Sequence, residues 1–428
     1  MKKVLIITYY WPPSGGSGVQ RWLKFVKYFE EFGITPVVYT VDNPDYTILD
    51  DTLKRDIPSG VEVLKHPIWE PYNVAKFLSK KKSNSASMGF LTKKKSIGGK
   101  ITNYIRANYF IPDARIFWVK PSVKFLKNYL ATNHVDAIVS SGPPHSLHLI
   151  ALELKKELGI PWLSDFRDPW TDIDYLHQLP LSQKSIRKHD RLEKEVLHNS
   201  DAVVVVGETM RQNFLPENKN TIVITNGYDQ NISESVSKVK RDKKFSITHI
   251  GLMNEDRNPS TLWKVLSQLC AEDKEFSDDL TIRLIGKVSE LVLSEIERYG
   301  LSKNFELIEY LPHEEVLKYQ KKSQVLLLAL NNVASAKGII TGKIFEYLIS
   351  KRPIIAIAPT DGDLAEIIQE TKSGSVVDFD DAASLKIVIE KLYFSYKSDS
   401  LELNSENVSQ FHRKQLTEKM AQVLKSII

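Results

Sequence analysis

Lys343 and Glu346 have the clearest chemical spacing in the chain. They stand three residues apart in Gly338-Ile339-Ile340-Thr341-Gly342-Lys343-Ile344-Phe345-Glu346-Tyr347, ahead of Pro353 and the apolar run Ile354–Ala358. A helix starting near Thr341 turns its free N–H groups, Gly342 among them, toward an anion, and Lys343 in the first turn adds a full positive charge. Glu346 lies one turn deeper on the same side, where its carboxylate could accept from two neighbouring hydroxyls such as those of a ribose. Together they suit a nucleoside diphosphate. An exposed helix glutamate is the plain alternative for Glu346.

A second candidate follows the first apolar run: Tyr9-Tyr10-Trp11-Pro12-Pro13-Ser14-Gly15-Gly16-Ser17-Gly18, then a helix with Val19, Trp22, Leu23, Val26 and Phe29 inward. Gly15 and Gly16 let backbone N–H groups approach an anion or a sugar hydroxyl. A dinucleotide fingerprint competes, since Gly16-x-Gly18 is followed by Asp42. Against it, Arg21 replaces the third glycine and seven residues separate Thr8 from Gly16. A turn without a ligand is the other alternative.

Further candidates sit after later strands. His145 follows two prolines, and Asp165, Arg167 and Asp168 follow another strand, so these four stand at strand ends where a ligand could be met. For each, a purely local role is equally open. Asp172-Ile173-Asp174 imitates a metal-diphosphate site but follows Pro169-Trp170 rather than a strand. No other acid or histidine group has metal-ligand spacing, so neither metal nor cofactor is expected.

Parallel sheets with crossover helices are the elements that must position these residues, because short β-branched runs alternate with helix-period segments throughout. The expected strands are Val4–Thr8, Pro36–Val41, Val61–Lys65, Asp136–Ser140, Pro161–Ser164, Ala202–Val206 and Thr221–Ile224, then Ser246–Ile250, Leu280–Ile285, Phe305–Ile308, Val325–Leu330, Ile354–Ala358 and Ser375–Val377. The fold class is α/β with two domains: 1–229, a polar linker 230–244, and 245–404. A final helix over 405–428 carries the stripe Leu416, Met420, Val423 and Ile427, expected to pack back on the first domain.

At 428 residues and 42% hydrophobic, the chain suits two or three ordinary globular domains. The single cysteine, Cys270, excludes an internal disulfide and fits a reducing compartment. The start, Met1-Lys2-Lys3 before Val4-Leu5-Ile6-Ile7, reads as a first strand rather than a signal peptide, and no run approaches a spanning helix. A net charge of +5 is too modest for a nucleic-acid binder. Its distribution is uneven. Between residues 71 and 112 there is no acid, while Lys76, Lys80, Lys81, Lys82, Lys93, Lys94, Lys95, Lys100 and Arg106 lie among apolar residues. This insertion suits an anionic membrane surface, with a solvated loop as the equal alternative.

The Lys343 segment resembles glycosyltransferase family 4, which shares its G-K-x-x-E-Y-x-x-x-x-x-P pattern. The resemblance extends through the glycine-rich first loop, Ser140–His145, Asp165–Trp170, Asn226-Gly227, Gly251 with Arg257-Asn258-Pro259, and Asp361–Glu366. It implies a GT-B fold, two Rossmann-like domains with parallel sheets facing across a cleft, and a retaining glycosyltransferase. Arg257, from the loop after Gly251, and Lys343 would neutralise the diphosphate of the donor and carry catalysis. The donor side would comprise Gly16, Gly251, Arg257, Thr341, Gly342, Lys343, Glu346 and Asp363. The acceptor or sugar side would comprise Gly15, His145, Asp165, Arg167 and Asp168.

One departure stands out. Many family members carry a second glutamate, which here would fall at Gly338. The implied acceptor is a saccharide or lipid-linked molecule in bacterial surface polysaccharide assembly, with a cytoplasmic enzyme touching the inner face of the plasma membrane through 76–106. A sugar-nucleotide epimerase of the same fold, or an inactive nucleotide or carbohydrate binder, are the competing functions.

Overall fold

The computed structural model describes residues 1–44, 46–69, 97–173, 176, 178–229, 239–401, 403 and 405–428. Most of the basic insertion and of the expected linker therefore lies outside the described residues. The chain divides into two compact units, Met1–Asn226 with Arg413–Ile428, and Gly227–His412.

Unit one runs β1 (Lys2–Ile7), α1 (Ser17–Phe29), β2 (Ile34–Val41), β3 (Glu62–His66), α2 (Ile97–Tyr109), α3 (Ile116–Leu130), β4 (Ala137–Gly142), α4 (Ser146–Leu158), β5 (Trp162–Phe166), α5 (Gln183–Asn199), β6 (Ala202–Val205), α6 (Glu208–Phe214) and β7 (Thr221–Val223). Its strands form a parallel sheet in the order β3-β2-β1-β4-β5-β6-β7. Both faces are covered, which is why the strands read as continuous apolar runs. In β1, Leu5 and Ile7 join the core under α3 and α4, while Val4 and Ile6 join the core under α1.

Unit two contains β8 (Phe245–Ile250), α7 (Ser260–Glu272), α8 (Lys274–Asp279), β9 (Leu280–Ile285), α9 (Glu290–Arg298), β10 (Phe305–Ile308), α10 (His313–Lys322), β11 (Val325–Ala329), α11 (Lys343–Ser350), β12 (Ile354–Ile357), α12 (Asp363–Glu370), β13 (Gly374–Val377) and α13 (Ala382–Lys397). Its sheet is also parallel, ordered β10-β9-β8-β11-β12-β13. Alternate residues of β11 enter opposite cores, Leu327 toward α7 and Leu326 and Leu328 toward α11 and α12. The expected strands are all present, with ends displaced by two residues at most.

The chain then returns to unit one as α14 (Arg413–Ile427), whose Leu416, Met420, Ala421 and Leu424 share a core with Trp22 and Phe25 of α1. The helix begins later than the expected Ser405. Asn407 takes a left-handed backbone, and Phe411 stays with unit two against Phe345.

In each sheet the strand order reverses once, between β1 and β4 and between β8 and β11. Loops diverge at such a point and leave a crevice at the carboxyl ends of the strands, where ligands of open parallel sheets collect. The candidate loops of the two units follow these strands.

A buried ion pair locks the reversal point of unit one. Arg21 of α1 donates from Nη2 to Asp165 of β5 at 2.8 Å, with the two side chains 1% and 0% exposed. Trp22 Nε1 (2.7 Å) and Ser141 Oγ (2.9 Å) donate to the other carboxylate oxygen, and Arg21 also donates to the Ile224 and Thr225 carbonyls. Removing one partner of such a pair strands a buried charge, so Arg21→Met should cost about 3–5 kcal/mol. Urea unfolding followed by tryptophan fluorescence checks this, and an unchanged first transition would show that the pair does not hold the unit together.

Candidate active site

Unit two assembles its site from β8, the turn that follows it, and the start of α11. Gly251, just after β8, has φ 114°, a backbone that favours glycine. A Cβ there would lie 2.5 Å from Lys343 Cε and 2.6 Å from its Nζ, so the lysine side chain lies directly over the glycine. What brings α11 to this place is Tyr347. Its fully buried ring sits in the core and its hydroxyl accepts from the Ile250 N–H at 3.2 Å. The first turn of α11 is thereby held over the end of β8.

Arg257 reaches the same region from the Glu255–Arg257 turn. Its Nη1 donates to the Leu252 carbonyl at 2.9 Å, while its buried Nε has no hydrogen-bond partner. The turn is tied to the loop after β11 by the Asn332 N–H, which donates to the Asp256 carbonyl at 2.7 Å. Burial pushes the Lys343 ammonium down to about 7, helped by repulsion from Arg257 and opposed by attraction to Glu346. Burial also lowers Arg257. Two cations are thus held within electrostatic reach of each other, and neither forms an ion pair among the described residues. Such an arrangement is unfavourable alone and relieved by an anion.

Thr341 and Gly342 lead into α11 as the resemblance implies, with Gly342 exposed at the cap. Glu346 is on the same helix, but its carboxylate is already engaged from α10: His313 Nε2 lies 3.1 Å from Oε1 and Gln320 Nε2 donates to Oε2 at 2.9 Å. Burial alone would raise its pKa; the His313 and Gln320 bonds and the nearby Lys343 outweigh that and lower it. Asp363 is buried at the start of α12. Its loop rests on the Ala336–Gly338 turn, where Lys337 pairs with Asp361 at 2.5 Å and a Cβ on Gly362 would meet the Lys337 carbonyl at 2.8 Å.

Unit one uses several of its charged residues internally, among them three of those expected on the acceptor side. Asp165 takes its hydrogen bonds from Arg21, Trp22 and Ser141 inside the core and offers nothing to a ligand. Arg167 donates to the Gly18 carbonyl at 2.7 Å, the Gly142 carbonyl at 3.3 Å and the Pro143 carbonyl, tying the first turn of α1 to the end of β4 and the residue after it. His145 is buried, stacked on Trp170 with ring centroids 4.9 Å apart; neither ring nitrogen makes a well-formed hydrogen bond, and burial holds its pKa well below the usual value. Gly15 is pinned by its N–H to the Ile48 carbonyl at 2.8 Å. Gly16 (φ 81°) and Asp168 are exposed.

Asp172 accepts from Asn213 at 3.3 Å, and Asp174 lies outside the described residues. Sequence reasoning missed His313, Gln320 and Tyr347 as partners of the site. The first two carry no local signal, being 33 and 26 residues from Glu346.

Residues 230–404 match the family described as Glycosyl transferases group 1. No curated protein matches the chain. Among solved structures, sucrose-phosphate synthase from Thermosynechococcus elongatus is similar at TM-score 0.56 and 12% identity, covering 100% of this chain and 95% of that one. A variant of S. aureus TarM in complex with fondaparinux, alpha-GlcNAc-glycerol and UDP matches at TM-score 0.56 and 14% identity, over 99% of this chain and 100% of its own. UDP-GlcNAc 2-epimerase from Methanocaldococcus jannaschii matches at TM-score 0.54 and 14% identity, over 99% of each chain. The fold is α/β of the GT-B kind, and the chain is a glycosyltransferase.

An anion should bind best while Lys343 is charged, below about pH 7. Sulfate keeps a constant charge across neutral pH, so its affinity should fall about ten-fold from pH 6 to 8.5 as the lysine deprotonates. Calorimetric titration checks this. Lys343→Met should abolish the pH dependence, and a flat profile in the unaltered protein would reject the lowered lysine.

Proposed function

We propose that this glycosyltransferase takes a sugar from a nucleotide-diphosphate donor gripped by unit two and transfers it, with retention, to a saccharide or lipid-linked acceptor on unit one. The observation that carries the reading is the unpaired couple Lys343 and Arg257 at the carboxyl end of β8, beside the exposed start of α11. Both side chains would contact the diphosphate. The Gly251 backbone permits close approach, Thr341 and Gly342 lend the helix start, and Glu346 would accept from the ribose hydroxyls. Asp363 frames the donor-sugar side, and Gly16 presents the corresponding glycine loop of unit one.

In a retaining transfer the acceptor oxygen bonds to the anomeric carbon on the face from which the phosphate departs. The departing phosphate oxygen takes the acceptor proton, so no enzymatic base is required. The protein's part is to fix the donor and stabilise the charge that develops on the diphosphate. With two side-chain cations serving the diphosphate, the reading assigns no metal. On the acceptor side Gly15 and Asp168 would be the contacts, with His145, Arg167 and Asp165 framing the loops that carry them.

The setting we infer is bacterial surface polysaccharide assembly by a cytoplasmic enzyme that touches the inner membrane face. Supporting it are the lysine-rich run between 76 and 106 and the exposed Trp69, Tyr104, Tyr109 and Phe117 on the elements that flank it. Such aromatics favour a membrane interface, and nearby basic residues contribute about 1 kcal/mol each on anionic lipid. Cosedimentation with phosphatidylglycerol vesicles, but not with phosphatidylcholine vesicles, is the expected result; equal or no binding would remove the membrane from the reading.

A thermal-shift panel of UDP-, GDP- and ADP-sugars tests the donor. The preferred one, at a hundred times its Kd, should stabilise the protein by about 2.7 kcal/mol. Lys343→Ala should lower turnover at least ~10²-fold, as expected for loss of one charge stabiliser, and activity should persist in EDTA. No shift with any donor, or near-normal turnover in that variant, overturns the reading. Product analysis separates transfer from epimerisation, which leaves the sugar on its nucleotide, and a total absence of turnover would identify an inactive binder.

A further inference from the structure

Glu346 would be a poor ribose clamp if its carboxylate were free to swing. Its own helix does not fix it, since Lys343 forms no ion pair with it among the described residues and the Tyr347 hydroxyl is engaged by Ile250. The fixing comes from α10. Gln320, 2% exposed, donates its amide N–H to Oε2 at 2.9 Å, and His313 Nε2 lies 3.1 Å from Oε1. Each carboxylate oxygen holds two lone pairs and each receives one donor from α10. One lone pair per oxygen is left, and the Glu346 side chain is 34% exposed.

We infer that Gln320 and His313 are positioning residues that lock the Glu346 carboxylate so that its two remaining lone pairs face a vicinal diol, making the site selective for a ribonucleotide. This rests on the proposed donor site and adds to it the source of sugar-ring selectivity. Gln320 is the main lock, because a buried amide has few alternative partners. A swinging carboxylate would have to be ordered at the moment of binding, and one drawn toward Lys343 would spend its lone pairs on the ammonium. His313 is exposed at 65% and donates through Nε2–H either as the neutral tautomer or as imidazolium. Its contribution should be the smaller.

The experiment is a cycle between protein and ligand. Full-length protein, Gln320→Leu, His313→Ala and His313→Gln are titrated calorimetrically with UDP, GDP and ADP and with the 2′-deoxy form of each. For the base that binds best, the unaltered protein should prefer the ribose form about ten-fold, in line with hydrogen bonds to a charged acceptor. Gln320→Leu should weaken the ribose form about ten-fold and the deoxy form less than two-fold, erasing the preference. His313→Ala should act in the same direction with a smaller loss, and His313→Gln, which retains a donor, should restore part of it. Equal weakening of both forms by Gln320→Leu would mean a general structural role and overturns the inference, as does unchanged ribose affinity. Diphosphate binding without any ribose preference in the unaltered protein also overturns it while the donor reading stands. No binding of any diphosphate removes the donor reading and this inference together.

Discussion

Holding Lys343 and Arg257 close together, neither in an ion pair among the described residues, is the constraint around which the candidate site of unit two is arranged. At ordinary exposure a lysine and an arginine would swing apart into water. Lys343 does not, because Tyr347 pins its helix to the end of β8 and the side chain lies across Gly251. Arg257 does not, because its guanidinium is tied back to the Leu252 carbonyl and its turn to Asn332. The resulting repulsion and desolvation are visible in the lowered lysine.

The two units make the point by contrast. Both are parallel sheets with one reversal of strand order, and both place glycine-containing loops at that reversal. In unit one the charges close on themselves. Arg21 and Asp165 neutralise each other, Arg167 spends its donors on three carbonyls, and His145 is neutral beneath Trp170. In unit two Lys343 and Arg257 form no ion pair among the described residues. One fold thus supports a self-satisfied frame in one copy and a pair of neighbouring cations in the other, and fold alone does not decide which.

Much of this was legible in the sequence because the relevant signals are local. Strands buried on both faces appear as apolar runs such as Val325–Leu330, and the pattern around Lys343 and Glu346 marks a helix start that the structure places at Lys343. What was illegible depends on residues distant in sequence. Arg21 was visible only as a violation of a glycine pattern, and its partner Asp165 stood 144 residues away, so its acid looked available when it is spent. His145 after two prolines carried no sign that it would turn inward onto Trp170. The later start of α14 goes with the left-handed Asn407 and with Phe411 packing on Phe345, neither of which the spacing of Leu416, Met420, Val423 and Ile427 reveals.

The engagement of Glu346 connects these observations. It sits one turn from Lys343, the spacing at which oppositely charged side chains on a helix ordinarily meet. Were they to meet, the site would be neutral: the lysine would keep its charge at no cost, and the diphosphate would have to break an ion pair to enter. Gln320 and His313 hold the carboxylate toward α10 instead, near enough to Lys343 to moderate its pKa but without forming an ion pair. On the proposed reading, the same two hydrogen bonds that orient an acceptor for hydroxyls would keep the ammonium available for phosphate. In the proposed donor site, charge for the diphosphate and lone pairs for the sugar ring would be separated along one helix by donors from its neighbour, and α10 would then belong to the site together with α11.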